Sequence, residues 1–297
     1  MKKNFFIAGL VLLFAACSTE SENMVNNAKM EEAVAPVKVH VTGFSVSQEE
    51  LPTTRAAQDV ADYNGVKAVT LAFYSGSTEV LKHEQVRGAL EEGETFGEFE
   101  CSLPMGNYTM VVIARGQGDG DVFTLTSPTE AAYTSDHSRE TFAYTQVVNI
   151  TNTSAVDISA TLNRIVARLG LESTDGRTAN ATNVRMTFSA GSKSFNPTTG
   201  LATSNTGFSN TVPTNVAVGG ITRSVTYLFL ATDEQNLNVT IETLDSEGNT
   251  LFSKTVENVP FKRNRATILT GAMYTNDDLG GAFQLNTDWL SEYNGNF

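Results

Sequence analysis

The sequence predicts an all-β protein, and three observations carry that prediction. Segments of about five to nine residues alternate apolar and polar side chains, clusters of Gly, Asn, Asp and Ser separate them, and helical periodicity is absent over any useful length. Strand side chains repeat every two residues, so alternation marks a strand with one face toward a core. Short strands divided by turn residues at this spacing build antiparallel sandwiches or barrels. Apolar residues make up 40% of the chain and charged residues 18%, enough to bury a core without the charge excess of a disordered chain. A length of 297 residues accommodates two domains.

The chain opens on MKKNFFIAGLVLLFAAC. Lys2 and Lys3 precede an apolar run over 5–16, and Ala15 and Ala16 lead into Cys17. This is the layout of a secretory signal, here residues 1–16. Its 12 apolar residues fall short of the about 20 that cross a bilayer. A cysteine directly after small residues resembles the bacterial lipobox, which implies that Cys17 is acylated on sulfur and becomes the mature N-terminus. Phe14 departs from that pattern, which prefers Leu three places before the cysteine. The alternative is a soluble exported protein whose signal ends near a cysteine. After Cys17, residues 18–36 lack apolar periodicity and carry Glu20, Glu22, Glu31 and Glu32. Residues 17–36 are therefore expected to form a flexible tether, reaching roughly 60 Å when extended. Its acidic residues also resemble a signal that sends some gut-bacterial lipoproteins to the cell surface.

The first strand is expected over 37–44, with Val37, Val39 and Val41 on one face and Lys38, His40 and Thr42 on the other; Gly43 marks a bulge or bend. A polar stretch, SQEELPTTRAAQD, separates it from strands at 66–74, 80–86, 99–103 and 108–114, the last two joined by a turn at 104–107. Strands at 122–126 and 143–150 follow, and at most a turn or two of helix fits 58–64 and 128–133. In 155–172 the apolar parity changes. Val156, Ile158, Ala160 and Leu162 give way to Ile165, Ala167, Leu169 and Leu171. A parity switch requires a bulge or a break, which places a domain boundary near Asn163, between an N-terminal β-sandwich at 37–163 and a C-terminal one at 164–297. Further strands are expected at 182–190, 223–231, 237–244, 251–256 and 266–273, with a long loop or weak strands over 191–220. A last strand at 282–290 places Phe283, Leu285, Thr287 and Trp289 on one face.

The formal charge is −13, and loss of residues 1–16 removes Lys2 and Lys3 but no acid, leaving a mature chain near −15. That balance argues against nucleic acid and anionic lipid surfaces as electrostatic partners. With Cys17 lipidated, Cys101 has no disulfide partner, and its alternation with Phe99 and Leu103 reads as a buried apolar cysteine. His40, His83 and His137 lie far apart, and Asp119-Gly120-Asp121 lacks the other ligands of a calcium loop. Gly-x-Ser-x-Gly is absent, and the GQGDG run at 116–120 has no following Lys-Ser or Lys-Thr. No catalytic set emerges, so the expectation is a non-enzymatic protein with no cofactor and no metal.

Several segments carry a family resemblance. A GFSVS…TRAA stretch leads into FGEFECSLPMGNYTMVV, followed by LNRIVARLGL, SFNPTTG, VPFKRNRATILTG and a short final strand. In this order they resemble the fimbrillin superfamily of Bacteroidales-type fimbrial proteins, including minor and anchor subunits. The resemblance implies two tandem transthyretin-like antiparallel β-sandwiches. It also implies a structural, adhesive role as a pilus subunit at the cell surface, held in the outer membrane by lipid on Cys17. Its partners would be other fimbrial subunits, joined by β-strand addition, and a host or bacterial surface receptor. In shaft subunits of that superfamily a trypsin-like protease cuts after an arginine downstream of the first strand, and the freed groove accepts another subunit's strand. Arg55-Ala56 in PTTRAAQ matches that site by position and type; the alternative is a surface arginine in a loop. Only SEYNGNF follows Leu290, shorter than the donor segments of shaft subunits, which favours an anchor or accessory position. A surface glycan-binding lipoprotein is the other reading, with Tyr133, Tyr144, Tyr227 and Trp289 as candidate exposed aromatics.

Overall fold

Alternation becomes strand almost wherever the sequence shows it. The computed structural model describes residues 33–45, 60–135, 137–275 and 284–286, and no helix occurs among them. Cys17, Arg55, Ala56 and Trp289 lie outside the described residues. The first nine strands are β1 (Val34–Ser45), β2 (Ala68–Ser75), β3 (Thr78–Val86), β4 (Glu98–Pro104), β5 (Gly106–Arg115), β6 (Phe123–Ser127), β7 (Glu130–Tyr133), β8 (Thr141–Ile150) and β9 (Val156–Arg164). Ten more follow. They are β10 (Ala167–Gly176), β11 (Asn183–Phe188), β12 (Ser194–Asn196), β13 (Leu201–Ala202), β14 (Phe208–Pro213), β15 (Ile221–Leu228), β16 (Glu234–Leu244), β17 (Thr250–Lys262), β18 (Ala266–Gly271) and β19 (Gln284–Asn286).

Seven strands form one sheet in the order β3-β2-β5-β8-β9-β1-β4. β8 and β9 pair only through Phe142 with Arg164 and Ala143 with Asn163, so the sheet turns a corner there. Its two arms close on a single core, in which Leu71, Phe73, Met110 and Val112 from one arm meet Val37, Val39, Leu103 and Leu162 from the other. Eight of the ten strands after the parity switch form two four-stranded sheets, β15-β10-β18-β19 and β14-β11-β16-β17. Leu169 and Leu171, Met186 and Phe188, Val239 and Ile241, and Phe261 share the core they enclose. The switch itself is the break between β9 and β10, where Ile165 and Val166 are both buried.

A fourth sheet, β13-β12-β7-β6, takes strands from both sides of that break, with β7 pairing β12 through Ala132–Ser194 and Ala131–Phe195. It covers the outer face of β2 and β5, burying a third core of Tyr74, Ile113, Tyr133, Phe195 and Phe229 among others. Rings stack through it, Phe195 on Phe229 with centroids 4.2 Å apart and Phe123 by Tyr133 at 5.1 Å. The described residues from Ala33 onward belong to one compact unit.

Some expectations are corrected. Residues 130–133 form strand β7 rather than a helical turn, because Ala131 and Tyr133 face the third core and the segment pairs on both edges. The first strand begins at Val34, three residues before its strict alternation. Pro36 is tolerated because the pairing with β9 starts only at Val37. Among the described residues two pairings, β1 with β9 and β10 with β18, are parallel in an otherwise antiparallel set.

Candidate strand-exchange site

The family resemblance directs attention to the first strand, and β1 is seated with partners on both edges. It runs antiparallel to β4 over Val34–His40 and parallel to β9 from Val37, with a register shift between Val41 and Gly43, where a bulge was expected. Ala35, Val37, Val39, Val41 and Phe44 are each no more than 3% exposed, so removing the strand would open an apolar slot the length of the core. The outer face is polar and complementary. Lys38 Nζ donates to Glu100 Oε1 at 2.7 Å, His40 Nδ1 meets Glu98 Oε2, and His40 Nε2 lies 3.6 Å from Asp157 Oδ1. The Lys38 hydrogen bond holds the Glu100 carboxyl below the usual range, and Glu100 in turn raises Lys38.

The chain that resumes after β1 is fixed independently of that strand. Arg87 stacks its guanidinium 4.2 Å over the Phe96 ring and donates to the carbonyls of Val60, Ala61 and Val66 at 2.9, 2.9 and 3.0 Å. Gly97 lies beneath this clamp at φ +90°, and a Cβ there would fall 2.4 Å from Val60 Cγ1. Its carbonyl accepts from the Val41 amide at 2.9 Å. Gln85, 1% exposed, brackets the same turn by accepting from Gly97 N and donating to Glu98 O, both at 2.8 Å. A cut after Arg55 would therefore leave Val60 and its successors attached to β3. Arg87 and Gln85 carry no sequence signal of this role, because their partners are backbone carbonyls and amides that any residue supplies.

Between the parts of the chain before and after residue 165 lies an open groove of about 530 Å³. Three segments that carry the family resemblance meet on its wall: Asn163–Ile165, Pro197–Gly200 and Lys262–Asn264. Their polar groups bind one another. Arg164 Nε donates to Glu140 Oε1 at 2.8 Å and its Nη1 to Asn264 Oδ1 at 2.9 Å, while Arg263 pairs with Asp233 at 2.7 Å and donates to Thr199 O at 2.8 Å. Asn264 sits in the left-handed region at φ 59°, which asparagine tolerates in a turn. Tyr63 also donates to Glu140, at 2.8 Å, and burial together with that carboxylate raises the phenol well above its ordinary value.

Cys101 is partly buried beside Phe99 and Leu103 and is a free thiol. Burial pushes it up to about 11, so at neutral pH its thiolate is about a hundredfold scarcer than in an unfolded chain. Iodoacetamide labelling of the folded protein at pH 7.5 is expected to run at least tenfold slower than in urea; equal rates in both would show an exposed thiol.

The aromatics considered for a glycan platform do not form one among the described residues. Tyr133 is 3% exposed and bonds Thr141 at 2.8 Å, and Tyr227 packs on the third core with its phenol pushed up to about 12 by burial. Tyr144 packs on the first core and donates to Gln146. Among the described residues, no group of three or more His, Cys, Asp or Glu side chains could hold a metal ion. Asp121 instead holds Arg139 at 2.6 and 3.0 Å and accepts from Gly118 N.

Fold and slot together define an all-β protein whose N-terminal strand lies within its first sheet between β4 and β9. The chain belongs to the family described as a family of unknown function (DUF6562), which matches residues 31–296. No curated protein matches it in sequence. Solved structures similar to it include the fimbrial anchor protein Mfa2 from Porphyromonas gingivalis, at 12% identity and a TM-score of 0.47, covering 86% of this chain and 98% of that one. The tip fimbrial protein Mfa3 of the same organism, with a C-terminal truncation, aligns at 12% identity and a TM-score of 0.39 over 86% of this chain and 100% of that one. A candidate adhesin from Bacteroides ovatus aligns at 10% identity and 0.48, over 82% and 88%.

Proposed function

We propose that this protein is a non-enzymatic cell-surface lipoprotein, a fimbrial subunit of anchor or accessory type that acts in filament assembly and adhesion. Residues 37–163 and 164–297 are its two transthyretin-like sandwiches, and lipid on Cys17 holds it in the outer membrane. The observation that supports the anchor reading is the seating of β1. Residues 17–33 join Cys17 directly to a strand that is bonded on both edges, and its antiparallel bonds to β4 run perpendicular to the strand axis. A pull along the tether therefore loads many bonds at once, together with the burial of five core side chains. In the alternative, cleavage between Arg55 and Ala56 makes β1 removable and the protein a polymerising shaft subunit, with Cys17 a delivery handle discarded on assembly.

Intact-mass analysis of the form recovered from cell surfaces separates the two. The anchor reading expects acylated Cys17 as the N-terminus, joined to an uncut chain. A surface form beginning at Ala56 would replace it with the shaft reading. An unmodified Cys17 in a soluble periplasmic monomer would overturn both.

A further inference from the structure

The solvent face of β1 suggests what kind of strand its slot accepts. β1 presents Lys38 and His40 outward, two residues apart, and the strands on either side answer with acids. Lys38 stands opposite Glu100 on β4 and opposite Asp157 on β9; His40 stands opposite Glu98 and reaches toward Asp157. Without β1, Glu98 and Glu100 would project from one wall of the slot and Asp157 from the other, roughly 10 Å apart at two strand spacings. Three carboxylates would then border an apolar floor with no cation between them.

We propose that this slot selects for its incoming partner a strand with alternating apolar residues on one face and two basic residues at positions i and i+2 on the other. The proposal rests on the alternative given above, in which cleavage after Arg55 makes β1 removable; in the anchor reading β1 keeps the slot filled. The apolar floor supplies affinity to any alternating strand, and the acidic walls supply discrimination, since like charges placed opposite one another across a sheet are destabilising. The pairs are solvent-exposed, so the discrimination is modest and salt-sensitive. This chain's own last strand does not meet the requirement. Sequence alternation groups Phe283, Leu285 and Trp289, which leaves Gln284, Asn286 and Asp288 at the other positions, offering no base and adding an acid. Of the strands that a second copy could offer, its β1 meets the requirement and its last strand does not, so the slot is matched to a β1-like strand rather than to a C-terminal one.

The test uses the full chain with a site-specific protease sequence inserted after Arg55, so that cutting does not depend on the natural site. The cut protein is unfolded in urea and refolded with an excess of one of three labelled peptides. They are residues 34–45, the same peptide carrying Lys38→Glu and His40→Glu, and residues 282–290. The expected result is about tenfold tighter capture of the basic peptide than of the other two at low salt. The preference should collapse toward unity in 1 M salt, where the screening length is about 3 Å, and reverse in a Glu98→Lys/Glu100→Lys/Asp157→Lys chain. Equal capture of basic and acidic peptides, or best capture of residues 282–290, overturns the charge rule and leaves strand exchange standing. Capture of none of the three, the chain's own β1 included, overturns strand exchange and the rule with it.

Discussion

Replacing Phe229 by alanine is expected to lower the unfolding free energy by about 3–5 kcal/mol, the usual cost of truncating a fully buried phenylalanine. The ring is 0% exposed, stacks 4.2 Å from Phe195 and lies 6.4 Å from Tyr133. Its backbone exchanges hydrogen bonds with Ser192 in both directions at 3.0 Å. These neighbours come from both sides of the break at residue 165, so the side chain is part of what makes one cooperative unit of them. Urea titration followed by circular dichroism measures the loss, and Phe229→Leu should recover most of it because volume is largely kept. A loss under 1 kcal/mol for the alanine variant would show that the third core contributes little.

The second large effect is expected at Arg164. Arg164 and Glu140 are each only 12% exposed, and breaking such a pair by removing one partner leaves a charge buried without compensation. Arg164→Met is expected to cost about 3–5 kcal/mol, with loss of the bond to Asn264 and of the guanidinium packed 4.9 Å from the Phe142 ring. Arg164→Met combined with Glu140→Gln should cost clearly less than the sum of the two single changes, since no unpaired charge remains and glutamine still accepts from Tyr63. Strict additivity in the double-mutant cycle would show that the pair does not act as a unit.

Much of the first sheet is legible in the sequence because alternation records which face of a strand is buried. Val37, Val39 and Val41 point inward as their spacing demands, Gly43 marks the bulge, and the parity change after Leu162 is the break between β9 and β10. Alternation says nothing about which strand lies alongside. β1 meets β9 across more than a hundred residues, and the main-chain bonds that join them have no side-chain signature. The acids that answer Lys38 and His40 were invisible for the same reason. Glu98, Glu100 and Asp157 become a set only when β1 is placed between β4 and β9.

The short strands were hardest to read. β7 has four residues, β12 three and β13 two, too few for a period to declare itself, and they lie in stretches rich in Ser, Thr, Asn and Gly. Local composition there favours turns, and pairing with distant segments overrides it. The polar residues of LNRIVARLGL, SFNPTTG and VPFKRNRATILTG lie far apart in the chain, and nothing local in the sequence groups them. Folding brings them onto one groove, where they bind each other.

By itself the sequence determined that this protein is all-β, that its first strand has one apolar and one basic face, and that the chain changes parity near Asn163. Those properties are local, set by side chains two residues apart. Only the tertiary structure decided that β1 is enclosed on both edges, that acids flank its basic face, and that a shared sheet and a third aromatic core join the chain on either side of the break. Those depend on which distant strands become neighbours, and that is settled by the burial of whole faces against one another rather than by any short run of residues.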